Sequence, residues 1–328
     1  MLWKISKRSS MASKPRKMVL GALILLVGLS VISILAGPAG WLDPMQESMR
    51  SIVLHLRLPR VLGALLAGSA LALSGALVQT ILHNPLASAN IIGVNASVGF
   101  FAILGSSLFP LSFSAGTVFG FFGGLACGLL VANLARKRKA SRLTILLAGM
   151  AISQLFSAGI DLLTVLVPDA LSGYASFKIG SLASLSLNKD LYASILILPA
   201  IVLVFLFSRE LEMFTLGDRQ AQALGLNVEK WSVFFLFLCA LLACGVVSLC
   251  GMLGFVGLIV PAWLSRYRLP FKTFLLLCVL VGALLVCAAD LIGRWILLPW
   301  ELPAGLVLSL AGGPYFLYLL LERRKLDA

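Results

Sequence analysis

Ten apolar runs, separated by short polar segments, set the plan of the chain. They lie at residues 18–36, 61–82, 89–108, 115–135, 143–167, 191–207, 231–250, 254–264, 271–291 and 304–321. Most approach the roughly 20 residues that a helix needs to cross a hydrocarbon core of about 30 Å. The pattern therefore predicts an all-α polytopic membrane protein with about ten transmembrane helices. It divides into a basic tail (1–17), one membrane domain (18–321) and a short tail (322–328). The run at 254–264 is too short to cross and is expected to be broken or to start nearer Cys250. The longest polar interruption of the second half is 209–230. Within it Asp218 is placed to cap a short helix, residues 219–224 are good helix formers, and Gly225 can end it. Such a helix between two spans suits docking against a soluble partner; the alternative is a plain solvated connector.

Small residues pattern two of the runs. Ala64, Gly68, Ala72 and Ala76 recur every four residues, as do Gly116, Gly120, Gly124, Gly128 and Ala132. That spacing makes a flat stripe on which another helix backbone can lie close, the contact that holds helices together in lipid.

Composition agrees with lipid as the solvent. Hydrophobic residues make up 60% of the 328 and charged residues only 12%, far from a soluble domain of this size. The net charge of +13 does not point to nucleic acid, because the basic residues cluster between apolar runs. With the N-terminus inside, 20 of the 26 Lys and Arg fall on the cytoplasmic side, including Lys4, Lys7, Arg8, Lys14, Arg16 and Lys17 in the tail. The six outside are Arg50, Arg57, Arg60, Lys178, Lys189 and Arg294. This is the positive-inside asymmetry, and it places both termini and the 209–230 loop in the cytoplasm. The first run follows a basic region as a signal peptide would, but with no clear cleavage site it reads as an uncleaved span. The six cysteines lie in or at the ends of apolar runs without C-x-x-C spacing, and the two histidines are far apart. Neither a disulfide frame nor a metal centre is expected.

Enzyme signatures are missing: no G-x-x-x-x-G-K-[ST], no H-E-x-x-H and no G-x-S-x-G. Two acids lie within or beside the runs. Asp161 reads either as a polar group facing the helix bundle or as a relay or pathway residue. Asp290 stands four residues before Arg294, where an i,i+4 ion pair is the simplest account.

Five segments then combine. RLPRVLGALLAGSALALSGALVQTILHNPLASANIIGV (57–94) is followed by LTILLAGMAISQLFSA (143–158) and LGDRQAQALGLNV (216–228). GMLGFVGLIVP (251–261) and ADLIGRWILLPWELPAGLVLSLAGGPYFLYLL (289–320) complete the order. Together they resemble the FecCD-type permeases, membrane subunits of bacterial ABC importers for iron-siderophores, haem and cobalamin. The resemblance implies the type II ABC importer permease fold, a multi-pass protein of the bacterial cytoplasmic membrane with both termini on the cytoplasmic side. It implies a non-catalytic subunit that binds no cofactor, with ATP and magnesium on a separate ATPase. The partners it implies are a second permease subunit, two ATPase subunits, an extracytoplasmic substrate-binding protein and membrane lipid, with no nucleic acid.

The same resemblance suggests residue roles. Leu216, Gly217, Asp218, Arg219, Ala221, Leu224 and Gly225 would form the coupling helix seated in a cleft of the ATPase. Arg57, Arg60 and Arg294 would receive carboxylates of the binding protein, for which the planar guanidinium fork is suited; snorkelling or ion pairing at a helix end is the alternative. Gly149, Ser153, Gln154, Ser157 and Asp161 would line the pathway. The segment around His83-Asn84-Pro85, with Gly93, Asn95 and Gly99 beyond it, would be a re-entrant bend. The chain departs from the family pattern at Ala262 and Ser265, where a His and an Arg are usual, and at Ser88-Ala89, where Asp-Pro is usual. A stand-alone ion-coupled transporter using Asp161 is the rival reading.

Overall fold

The structure, a computed structural model, describes residues 15–37, 40–41, 47–88, 93–109, 115–137, 142–167, 177–297 and 300–327. Most of the basic tail, the 89–92 part of the expected bend and the tip of the basic 136–142 loop lie outside the described residues.

The helices in chain order are α1 (Pro15–Leu35), α2 (Glu47–Ile52), α3 (Leu58–Leu82), α4 (Val94–Leu108), α5 (Ala115–Lys137), α6 (Arg142–Leu166), α7 (Leu187–Leu206), α8 (Ser208–Phe214), α9 (Asp218–Ala223), α10 (Val228–Cys250), α11 (Val256–Leu264), α12 (Phe271–Trp295) and α13 (Ala304–Asp327). Among the described residues the all-helical expectation holds apart from one two-residue antiparallel ladder, β1 (Ala36–Gly37) on β2 (Gly40–Trp41). A π-helical turn, Val53–Arg57, joins α2 to α3. Pro59, at the start of α3, has no N–H to give to the carbonyl of His55, and the backbone widens there.

Seven helical segments among the described residues are long and apolar enough to cross a membrane: α1, the continuous Arg50–Leu82, α5, α6, α7, α10 and α12. Each of the ten expected runs has its helix, but three are short. Helix α4 has 15 residues, α11 has nine, and the apolar part of α13 is Ala304–Tyr318. Backbone conformation explains two of them. Gly93 (φ 88°) precedes α4, while Gly251 (φ 78°) and Phe255 (φ 66°) break the chain before α11. At 1.5 Å per residue α11 spans only about 14 Å.

Helix α3 is the hub, and glycine makes it so. A Cβ on Gly68 would overlap the backbone of Gly282 in α12, and one on Gly75 would overlap the carbonyl of Gly257 in α11. Gln79, one turn on, donates to the carbonyls of Gly257 (3.3 Å) and Leu258 (3.2 Å). The α5 stripe seats in a groove: Gly116 and Gly120 face Ala102 and Val98 of α4, while Gly124 and Gly128 face Cys244 and Ala240 of α10. Lipid tails are as apolar as leucine, so this close van der Waals contact holds the bundle. Beyond α3, His83 takes a left-handed conformation (φ 49°), and the Asn84 side chain accepts from the Leu86 N–H at 2.9 Å. The Asn-Pro break stops the helix as its residues predict.

Candidate functional site

Charge concentrates at the two ends of the bundle, and the two ends are built differently. At the end that the charge asymmetry places inside, residues 208–230 fold as α8 and α9 between α7 and α10. Gly217 adopts φ 97°, ψ 153°, a region open essentially to glycine alone. It takes the capping position expected of Asp218, which instead occupies the first turn of α9, where an acid is favoured by the helix dipole. The far end of α9 is a Schellman motif. The Leu226 N–H donates to the Ala221 carbonyl at 3.0 Å, the Gly225 N–H to that of Gln222 at 2.9 Å, and Gly225 sits at φ 90°. Leu226 and Ala221 supply the apolar contact of that motif and are both buried. Ala221, expected in the coupling helix, is buried in that helix and anchors α9 against the rest of the protein. Leu216 (50% exposed), Arg219 and Leu224 (61%) stand on the outside of the loop.

At the opposite end the charges turn inward. Arg60 Nε donates to Asp290 Oδ1 at 2.7 Å and its Nη1 to Glu301 Oε2 at 2.6 Å. Arg294, only 2% exposed, places Nη2 3.1 Å from Asp290 Oδ2. Its Nη1 donates to the carbonyls of Ser33 (2.9 Å) and Ala36 (3.3 Å), and Nη2 also donates to Ser33 Oγ. Arg57 Nη1 donates to the Ile34 carbonyl at 3.1 Å. The arginines expected to face a docking protein thus lie at the expected end but inside it, with Arg57 and Arg60 6% and 9% exposed. The reason is local. The last turn of α1 leaves carbonyls unpaired at its C-terminus, and the guanidinium forks of Arg57 and Arg294 satisfy them. The i,i+4 pair of Asp290 and Arg294 is present as its spacing predicts.

The proposed pathway residues divide. Helix α6 exposes a continuous stripe that includes Leu147, Met150, Gln154, Leu155, Asp161, Leu162 and Val165. Gln154 and Asp161 are on it, Ser153 and Ser157 border it, and Gly149 is turned away, buried, with its carbonyl against Gly93 before α4. In the altered 262–272 segment, Ala262 is buried and Ser265 Oγ donates back to its carbonyl at 2.8 Å. The rings of Trp263 and Tyr267 meet edge-on with centroids 5.4 Å apart.

Three residues escaped the sequence reading. Ser33 sits inside an apolar run, where a hydroxyl gives no sign of its partner. Glu301 is the sole acid between 291 and 321, and counting charges opposite three arginines would have found it. Asp190 lies one residue outside the expected 191–207 run. It is 4% exposed, close against Gly63 of α3, and neither of its carboxylate oxygens has a hydrogen-bond partner among the described residues.

Comparison with known proteins assigns these features to a family. The model of the FecCD transport family matches residues 18–322. The chain belongs to the FecCD transport family. It is 37% identical to the hemin transport system permease protein HmuU of Yersinia pestis, over 95% of this chain and 97% of that one. With the Fe(3+)-citrate import system permease protein YfmE of Bacillus subtilis the identity is 33%, over 98% and 100%. A solved metal-chelate type ABC transporter in an inward-facing conformation superimposes with a TM-score of 0.86 at 29% identity, covering 94% of this chain and 99% of that one. As a FecCD permease the chain is the multi-pass membrane component of an ABC importer in the bacterial cytoplasmic membrane. The α9 loop and the arginine cluster are accordingly the two ends of a transport subunit.

Proposed function

We propose that two copies of this permease, or one copy and a sister subunit, enclose a pathway for an iron chelate, of the siderophore or haem class. Two ATPase subunits engage the cytoplasmic end and an extracytoplasmic binding protein engages the other. ATP and magnesium belong to the ATPases, and this chain holds no cofactor of its own. Closure of the ATPases pushes on α9 and switches the cavity between two discrete packed arrangements, since packed cores do not deform continuously. The observation that carries this reading is α9 itself. A six-residue helix is flanked by positive-φ glycines and anchored by buried Ala221, and its loop leaves Leu216, Arg219 and Leu224 exposed among the described residues. The exposed stripe of α6 is the face for the pathway and the second subunit. Its chelate selectivity follows the relatives, which carry hemin and Fe(3+)-citrate.

The ion-coupled rival depends on Asp161, which stands exposed on α6 rather than beside a broken helix where coupling groups are expected. Proteoliposomes holding the permease with its copurified ATPase decide between them. Uptake of a ferric chelate or haem that requires internal or external ATP on the ATPase side, and survives Asp161→Asn, is expected. Uptake driven by a proton or sodium gradient without ATP, and abolished by Asp161→Asn, would replace this reading with the rival.

A further inference from the structure

The outer cluster holds three arginines, Arg57, Arg60 and Arg294, against two carboxylates, Asp290 and Glu301. The two acids are held very differently. Asp290 has a side chain 1% exposed and is shared between Arg60 Nε and Arg294 Nη2. Among the described residues Glu301 pairs with Arg60, through one oxygen at 2.6 Å, and keeps 34% of its side chain open to the surface. It stands on a non-helical segment, three residues before α13, beside fully displayed Trp300 (78% exposed). Removing a carboxylate from a buried charge cluster is destabilising, and release of Glu301 would leave Arg60 only the Asp290 carboxylate that it shares with Arg294. Arg60 can exchange Glu301, one carboxylate for another, at little cost in charge balance.

We infer that Glu301 is a resident carboxylate in the fork of Arg60, displaced when an acidic side chain on a docking protein enters the same fork. This inference rests on the docking reading above and gives it a regulatory step. The surface then favours a partner that brings a carboxylate, because a neutral group would leave three arginines against Asp290 alone, which Arg60 already shares with Arg294. Displacement also has somewhere to act. The Leu302 N–H is tied to the Gly293 carbonyl of α12 at 2.9 Å, and the Gly305 N–H in the first turn of α13 to the Gly180 carbonyl at 3.1 Å. The segment that carries Glu301 is therefore the head of α13. The same helix packs Gly312 against left-handed Phe255 at the break before α11. Release of Glu301 outside loosens the end of a helix whose middle rests on the broken part of the bundle.

Phenylglyoxal footprinting of the intact protein in lipid nanodiscs, read by mass spectrometry at individual arginines, tests this. In the unaltered protein Arg60 is protected. Glu301→Gln should raise its labelling by up to about fivefold, the factor that corresponds to loss of about 1 kcal/mol from a partly exposed charged pair. Hexaglutamate should restore protection and hexaglutamine should not. Glu301→Asp, which keeps the charge with a shorter reach, should fall between, and Arg294 should stay protected throughout, showing that the fold is intact. Unchanged Arg60 labelling in Glu301→Gln would overturn the resident role of Glu301. Raised labelling that hexaglutamate does not suppress would leave Glu301 as the occupant but overturn the docking reading on which the exchange depends. Loss of Arg294 protection together with Arg60 would mean that Glu301 is a structural brace, and would also overturn the exchange.

Discussion

The two ends of this permease use charge in opposite ways. At the cytoplasmic end, α9 keeps Arg219 and its neighbours in solvent and is held by backbone geometry, with Gly217 and Gly225 in conformations that other residues resist. At the outer end, Arg60, Arg294 and Asp290 are drawn into the protein and held by one another and by the carbonyls of α1. A shape held by glycine leaves its side chains free to meet a partner. A shape held by ion pairs has used its side chains already, and a partner can reach them only by exchange. The comparison separates a surface ready to bind from one that has to be opened.

The sharpest way to break the contrast is to remove the shared acid. Asp290→Ala leaves Arg60 and Arg294 facing each other without their common carboxylate, and is expected to cost about 3–5 kcal/mol. Thermal unfolding in detergent should show a large loss, or the protein should fail to accumulate; a melting temperature near that of the unaltered protein would mean that the cluster does not hold the outer end. Next in size is a change to the glycine-held end. Gly225→Val forces a branched residue to φ 90°, at a cost of about 1–2 kcal/mol. Its effect should stay local: faster protease cleavage within 217–227 with little change in global melting. Equal loss at both levels would show that the loop is part of the core.

Glu301→Gln should weaken the outer end less than Asp290→Ala, by about 1 kcal/mol or under, because the pair is partly open to solvent. The difference between the two variants, measured in one buffer, ranks the two acids; equal losses would contradict the claim that only Glu301 is exchangeable. Smallest is Arg219→Ala, an exposed substitution expected to lie within about 0.5 kcal/mol of the unaltered protein. It should nonetheless reduce capture of the ATPase. A change in stability without a change in capture would place Arg219 with the scaffold.

Much of this was legible in the chain. Run lengths gave the helices, small-residue spacing gave the α3 and α5 contacts, and the Asp218 to Gly225 pattern gave α9 to within its capping residue. The cap was misplaced because Gly217 and Asp218 both suit a helix start, and only the backbone dihedrals separate them. The outer cluster was legible as position and not as state. Sequence puts Arg57, Arg60 and Arg294 at one end, but whether they face solvent depends on where the last turn of α1 lays its carbonyls, more than two hundred residues away from Arg294 in the chain. Asp190 was missed because a single residue's error in a span boundary moves a buried acid into a loop.

The measurement that tests the central claim most directly is a pull-down of the tagged permease in mild detergent, with the copurifying proteins identified by mass spectrometry. The account predicts an ATPase in the unaltered sample and its loss when residues 218–225 are scrambled in a protein that keeps its melting temperature. An ATPase retained by the scrambled loop, or a protein that comes down alone yet transports in ATP-free liposomes, would contradict it.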